Sequence, residues 1–271
     1  MIERKSYIWY YCLTWLFFHL IRIDDGLCMT CLDQPFLYEL RQDPLLWLGQ
    51  YFDLPRSLIS YKWVSLFFDV TPAILIFVFM FHSDAEHKRL WLLFIITFWI
   101  YLLIILSFPS LSVRKYLGLA LIPIAFIVPK NKYDLSLEYL RYFCLFIFSS
   151  SALWKIFRGS IFESDHFYNI IRSQHFSNFL HYPDHWISNF NLFLLDHPNF
   201  LHLSFVLVVL AQLSFAVGVF TRRYDKVLFI LMIAFILMDF VVMRIEYWEF
   251  AVFFPLLWKY DESDEKDTLI A

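Results

Sequence analysis

Long apolar runs dominate the chain, and short stretches with charged residues or proline separate them. A run of about 20 apolar residues crosses the hydrocarbon core of a bilayer as an α-helix. We therefore predict an all-α fold, a polytopic bundle of about seven or eight transmembrane helices. The predicted spans are 6–23, 61–81, 90–108, 116–128, 139–157, 201–220 and 227–243, with 245–257 as the eighth.

Three of these spans depart from a simple pattern. The fourth is short and contains Pro123, so we expect it to be tilted or broken. Only Arg244 separates 227–243 from 245–257. These last two runs form either one long bent helix or two spans in a tight hairpin.

Polar stretches between the spans predict amphipathic helices at the membrane surface. One such helix is expected after the first span, because apolar residues recur there at helical spacing. Its apolar positions are Phe36, Leu37, Leu40, Leu45, Leu46, Leu48 and Phe52. More are expected in 158–199, where polar and aromatic residues alternate. Residues 1–258 are predicted to form one membrane domain, and the acidic tail 259–271 to be disordered.

Composition supports the membrane class and excludes others. Hydrophobic residues make up 60% of the 271 residues and charged residues 17%, whereas soluble proteins average about 25% charged. The lipid bilayer is therefore the expected partner. The net charge is −3 and no basic stripe is present, which excludes nucleic-acid binding. The chain contains no glycine-rich phosphate loop, which argues against a soluble nucleotide enzyme.

The distribution of lysine and arginine predicts a cytoplasmic N-terminus, because short cytoplasmic loops are enriched in these residues. In this orientation 158–199 lies outside the cytoplasm, and Arg114 and Lys115 also fall on the outer side. The cytoplasmic side would hold Arg4, Lys5, Lys88, Arg89, Lys130, Lys132, Arg141, Arg222, Arg223 and Lys226.

The four cysteines include one close pair, Cys28 and Cys31, in a Cys-x-x-Cys arrangement. No second pair and no βαβ pattern accompany it, so two ordinary thiols are favoured over a disulfide or redox role.

Six of the nine histidines lie in or just after the long polar segment: His166, His175, His181, His185, His197 and His202. Pro183 separates His181 from His185 and prevents one regular helix from presenting both. Polar histidines at the membrane interface are favoured over a metal or catalytic role, and no metal site is predicted.

Ionisable residues within the predicted spans are costly and need an interior partner or a cavity. Asp69, Lys155 and Asp239 are such residues, and Arg244, Glu246 and Glu249 form a cluster after the seventh span. One interpretation is that they form ion pairs that fix the helix register. The other is that they line a ligand pocket, in which Lys155 is a candidate catalytic base.

Two segments in this region carry a specific resemblance. The span 139–157 ends in small residues at 149–152, followed by Lys155, and a polar segment comes next. Residues 212–223 read Gln-Leu-Ser-Phe-Ala-Val-Gly-Val-Phe-Thr-Arg-Arg, a helix that ends in a glycine, aromatics and a basic turn. In order and spacing they resemble the membrane domain of vitamin K-dependent gamma-carboxylases and their bacterial relatives, the horizontally transferred transmembrane domain. The resemblance covers 8–258, most clearly 139–258.

The resemblance implies that Lys155 is the base that deprotonates a reduced quinone-type cofactor. Two positions depart from the family pattern. Lys115 stands where the family has a histidine before a Tyr-Leu pair, and 234–239 lacks the later histidine. The carboxylase also has a β-rich domain after its membrane part, which is not expected here, so a full glutamate carboxylase is not predicted.

The leading hypothesis is a membrane protein that binds a quinone-like or other lipid-soluble ligand near Lys155, with its activity left open. The alternative is a non-catalytic membrane subunit or scaffold. A transporter ranks below both, because the halves show no internal repeat and the chain has only five glycines.

Overall fold

A computed structural model describes residues 2–32, 44–81, 88–106, 117–243 and 247–258. All regular elements in these ranges are helical, which agrees with the predicted all-α class. The α-helices are α1 (Arg4–Asp24), α2 (Pro44–Tyr51), α3 (Leu54–Ser60), α4 (Lys62–Phe81), α5 (Lys88–Leu106), α6 (Leu117–Ile127), α7 (Tyr133–Phe157), α8 (Ser164–His181), α9 (Trp186–Asp196), α10 (Pro198–Ser214), α11 (Val217–Phe220), α12 (Asp225–Met238) and α13 (Phe254–Trp258). Two 3-10 helices, Lys130–Lys132 and Trp248–Phe253, and a π-helix, Asp239–Met243, complete the set.

Within the described ranges, five helical segments are long and apolar enough to cross a bilayer, and they fit a membrane protein. They are Lys62–Phe81, Lys88–Ile105, Lys130–Phe157, Pro198–Phe220 and Asp225–Met243. These segments correspond to the second, third, fifth, sixth and seventh predicted spans. The count of seven or eight is not confirmed, because α1 and the shorter apolar segments Gly118–Ile127 and Trp248–Trp258 are not among them.

The structure also describes most of the three spans that departed from the pattern. Pro123 lies inside the continuous eleven-residue helix α6, so the fourth run is short but unbroken. The seventh run ends as a π-helix at Met243. Residues 244–246 lie outside the described residues, and the run after them is a 3-10 helix followed by the short α13 rather than a long regular helix. The tail 259–271 and the first part of the predicted interfacial helix, 36–43, also lie outside the described residues.

Helix α4 shows why the exposed surface suits lipid. Its polar residues Ser65 and Asp69 are buried, whereas every exposed residue after Lys62 at the helix start is apolar. A helix on the surface of a soluble protein has the opposite polarity. The exposed apolar residues of α4 are Trp63, Leu66, Phe67, Val70, Ile74, Phe77 and Phe81.

The described residues fall into two compact units. The first comprises Met1–Leu137 and Glu249–Pro255. In it α1 contacts α4, α4 contacts α5, α5 contacts α6, and α6 returns to α1. Aromatic rings fill the space between these helices: Phe79 stacks on Trp91 with ring centroids 3.6 Å apart, and Phe94 lies edge-on to both. Stacked and edge-on rings stabilise such a core beyond the area they bury.

The second unit comprises Glu138–Trp248 and Leu256–Ala271. Helix α10 is central, because α8, α9 and α12 all contact it. Helices α8 and α9 occupy most of the polar segment 158–199, so the prediction of helices there is confirmed. The apolar core is formed by Ala152, Phe167, Ile171, Leu194, Leu201, Phe205, Val209 and Val242.

A buried ion pair joins α7 to α12 within this second unit. Arg141 Nε lies 2.8 Å from Asp225 Oδ2, and its Nη2 lies 2.6 Å from Oδ1, which makes the contact bidentate. The same Nη2 donates to the carbonyl oxygen of Gly218 at 2.7 Å. A Cβ at Gly218 would lie 2.6 Å from Leu228 Cδ1 and 2.9 Å from Leu145 Cδ2, so a larger residue would require these leucine side chains to shift.

Candidate functional site

Lys155 turns toward the interior of the second unit. It lies in the last turn of α7, where a lysine can usually extend its ammonium group to water. Its Nζ instead donates to Gln212 Oε1 on α10 at 2.6 Å. Gln212 is only 2% exposed and lies within the apolar segment Pro198–Phe220, away from both ends. The lysine is therefore held beside the middle of a candidate membrane span.

The segment Asp225–Met243, in which the π-helix continues α12, completes the polar cluster around Lys155. Asp239, the first residue of the π-helix, and the Lys155 ammonium group attract each other electrostatically. The ammonium nitrogen also lies 5.9 Å from the centroid of the Phe235 ring, within the range of a cation–π contact. Three apolar helical segments thus each contribute one polar side chain to this cluster: Lys155, Gln212 and Asp239.

An apolar cavity of about 90 Å³ adjoins this cluster between α10 and α12. Gln212 and Phe235 belong to its wall, so the polar and apolar parts of the site are continuous. A cavity of about 150 Å³ is known to hold benzene, so this one admits part of a ring or of an acyl chain. The wall is formed by Val208, Ala211, Gln212, Phe215, Leu231, Ala234, Phe235 and Met238.

Buried side chains from α8 and α9 hold the π-helix that begins at Asp239. His175 Nε2 lies 3.0 Å from the carbonyl oxygen of Val242, and since a carbonyl only accepts, Nε2 is the protonated ring nitrogen. Asn191 Nδ2 donates to the carbonyl oxygen of Val241 at 3.1 Å. Both side chains are fully buried. His175 therefore lies within the protein, although the sequence suggested a polar interface histidine.

The structure places the other predicted site residues apart from this cluster or leaves them undescribed. Asp69 lies in the first unit, where its carboxylate accepts hydrogen bonds from the N–H groups of Met29 and Thr30 and from the Thr30 hydroxyl at 2.8–2.9 Å. Glu249 is buried in a 3-10 helix of the same unit. Arg244 and Glu246 lie outside the described residues. Of the predicted set, the structure brings Lys155 and Asp239 together.

No family model, curated protein or solved structure matches the chain. The chemistry of the site is therefore inferred from its own groups. An ammonium group carries three N–H donors, and the contact with Gln212 uses one of them. The site can donate hydrogen bonds to a ligand oxygen next to an apolar wall.

Sequence reasoning gave Gln212 no role in the site. It entered only as the first residue of a segment with a family resemblance. The available signal was its position as an amide inside an otherwise apolar run, because an amide at membrane depth needs a hydrogen-bonding partner.

Proposed function

We propose that this chain is a multi-pass membrane protein with a cytoplasmic N-terminus that binds a lipid-soluble, quinone-like ligand beside Lys155. The observation that carries the proposal is the meeting of Lys155, Gln212 and Asp239 between apolar helices, next to an apolar cavity. Ionisable groups at membrane depth are rare, and they mark ligand or proton pathways.

Energetics favour a functional role for the lysine. Interhelical hydrogen bonds in membranes average about 0.6 kcal/mol, with a maximum of about 1.7 kcal/mol. A lysine at the centre of a membrane helix costs about 2.5–3.5 kcal/mol on insertion scales, which is an upper bound for Lys155 because it lies in the last turn of α7. The hydrogen bond to Gln212 offsets at most about 1.7 kcal/mol of such a cost. A ligand oxygen that accepts a hydrogen bond from the ammonium group would stabilise the buried charge. The apolar part of the same ligand would pack against α10 and α12.

The resemblance to the gamma-carboxylase membrane domain supports a further step. In this proposal the neutral amine of Lys155 accepts the hydroxyl proton of a reduced quinone-type ligand. The ammonium group that results donates to the ligand oxyanion, and the Asp239 carboxylate stabilises it. No part of this step requires the β-rich domain of the carboxylase.

The same contacts also support the alternative, a non-catalytic membrane subunit or scaffold. In that case the hydrogen bond between Lys155 and Gln212 and the attraction to Asp239 serve only to hold three helices together. The two functions differ in one measurable property, the presence of a ligand that depends on Lys155.

The test is native mass spectrometry with lipid extraction on protein purified in mild detergent. The variants are the unaltered chain, Lys155→Ala, and Arg158→Ala as the matched control. Arg158 is an exposed cation just after α7 that stacks on Trp154, so its removal changes charge without touching the site. We expect a quinone or similar lipid to accompany the unaltered chain and the control, and to be absent from Lys155→Ala.

Thermal unfolding of each variant shows that the purified proteins are folded. If all three variants fold and none carries a ligand, the ligand proposal is wrong and the scaffold function replaces it. The same conclusion follows if a ligand accompanies Lys155→Ala in the same amount as the unaltered chain.

A further inference from the structure

Cys28 and Cys31 stand at the two ends of a tight turn that follows α1. The N–H of Cys31 donates to the carbonyl oxygen of Cys28 at 2.9 Å, which closes a four-residue turn. The two Cα atoms of such a turn lie less than about 7 Å apart. A disulfide spans Cα atoms about 4.4–6.8 Å apart. The backbone therefore presents this pair at the separation that a disulfide requires.

Side chains from two other helices fix the turn. The Asp69 carboxylate on α4 binds the N–H groups of Met29 and Thr30, the two residues between the cysteines. On one side Tyr101 of α5 donates to the carbonyl oxygen of Leu27 at 2.8 Å. These contacts hold the backbone on both sides of Cys28. The two cysteines are therefore held close together in the folded protein, without a rare fluctuation to bring them there.

The two thiols differ in access. Cys31 is exposed, whereas Cys28 is buried, with 9% of its surface exposed. They are close enough to interact electrostatically. Cys12 and Cys144 are fully buried in α1 and α7, and each serves as an internal reference for an inert thiol.

We propose that Cys28 and Cys31 form a reversible dithiol–disulfide site that exchanges with disulfide-bonded thiol compounds. The Cys31 thiolate attacks one sulfur of the external disulfide, whose S–S bond breaks and releases one thiolate. The Cys28 thiolate then attacks the Cys31 sulfur of the mixed disulfide and releases the second thiolate. Two protein thiols are oxidised and one external disulfide is reduced to two thiols, which take up the two protons.

The second step should respond to pH in a defined direction. Burial raises the pKa of the Cys28 thiol above its ordinary value of 9.0; Asp69 and Cys31 raise it further, while Arg22 opposes the rise. Only the thiolate is a nucleophile. The rate of ring closure should therefore still increase as the pH passes through 9.

The experiment uses the full chain, reduced and then incubated with oxidised glutathione in mild detergent. After acid quenching, denaturation, alkylation and digestion, mass spectrometry examines the peptide between Arg22 and Arg41, which contains both cysteines. We expect this peptide to lose two hydrogens and to take up no alkyl group. Cys12 and Cys144 should be fully alkylated after denaturation.

Three variants test the assigned roles. Cys28→Ser should accumulate a glutathione adduct on Cys31, and Cys31→Ser should lose nearly all reaction with glutathione. Asp69→Asn removes both the contacts that hold the turn and a charge that raises the pKa of Cys28. At a pH high enough to ionise Cys28 in both proteins, only the loss of the contacts matters, so ring closure should slow several-fold while the first capture at Cys31 is unchanged. Protection of Cys12 and Cys144 in the native state reports that each variant is folded.

Two results would overturn the proposal. One is a stable glutathione adduct on Cys31 of the unaltered chain without a bond between Cys28 and Cys31. The other is a disulfide between two chains through Cys31 as the main product. Neither outcome bears on the Lys155 site, since the two proposals depend on different residues.

Discussion

At the scale of single residues, Arg141 and Asp225 form a buried ion pair in the second unit. The pair is bidentate, with distances of 2.8 and 2.6 Å, and both side chains are at least 96% buried. Removing one partner leaves the other charge buried, at a cost of about 3–5 kcal/mol. We predict a loss of this size in the free energy of unfolding for Arg141→Ala and for Asp225→Ala, measured by chemical denaturation in detergent micelles.

A double variant provides the check on this prediction. Replacing both partners with apolar residues, Arg141→Met with Asp225→Leu, removes both charges and should destabilise the protein less than either single alanine variant. Arg223→Ala is the matched control, because Arg223 is exposed in the same region. A double variant that loses the sum of the two single losses would contradict the coupling.

The sequence predicted some site residues and could not predict others for physical reasons. Lys155 and Asp239 stood out because charges inside apolar runs are costly. Arg141 was counted as a loop cation, since a charge near a helix end can reach water. Its partner lies 84 residues away, and only the folded chain shows the contact. Gln212 carries no charge, so its cost at membrane depth is not visible in composition.

At the scale of elements, the π-helix at the end of the seventh span is the feature most open to test. Its carbonyls at 241 and 242 accept from Asn191 and His175. Leaving a buried carbonyl unsatisfied costs about 1–3 kcal/mol. We predict a stability loss of that size for His175→Leu and for Asn191→Leu, together with faster hydrogen exchange of the amides in 239–243.

His181→Leu is the control for this prediction. His181 is exposed at the end of α8, so its replacement should change stability by no more than about 0.5 kcal/mol. Unchanged exchange of the 239–243 amides in His175→Leu would show that the side chain does not support the π-helix.

Helix positions were largely predictable, but their ends and interruptions were less so. The apolar run at 61–81 located α4 within one residue at its start, because charged and polar residues precede the run in the sequence. The sixth run is divided at 215–216 into α10 and α11, and no glycine or proline stands there to indicate it. The break places Gly218 beside Leu145 and Leu228, a tertiary contact that local sequence does not encode.

At the scale of the whole molecule, composition predicted the membrane class because the chain has more apolar surface than its core hides. The exposed apolar face of α4 is one example of that surplus. The number of crossings is harder to derive. Helix α1 has the length of a span, yet its polar and aromatic residues keep it out of the five segments that are both long and apolar enough to cross.

Labelling of single cysteines decides the number of crossings and the orientation. In a chain without its native cysteines, one cysteine is introduced at Glu3, Ser57, Asn199 or Tyr224, all of which are exposed. A membrane-impermeant maleimide is then added to intact cells. We predict labelling of Asn199→Cys in intact cells, and labelling of Glu3→Cys and Tyr224→Cys only after permeabilisation.

The Ser57→Cys variant distinguishes seven or eight membrane crossings from five. Asn199 and Tyr224 lie near the two ends of Pro198–Phe220, so labels on opposite sides show that this segment crosses. Six predicted spans, or four of the five segments that are long and apolar enough to cross, precede Tyr224. Both numbers are even, so Glu3 and Tyr224 share a side in either case. If α1 crosses, Ser57 lies outside with Asn199, as we predict. If Ser57 is labelled only after permeabilisation, α1 does not cross, and the count falls toward those five segments.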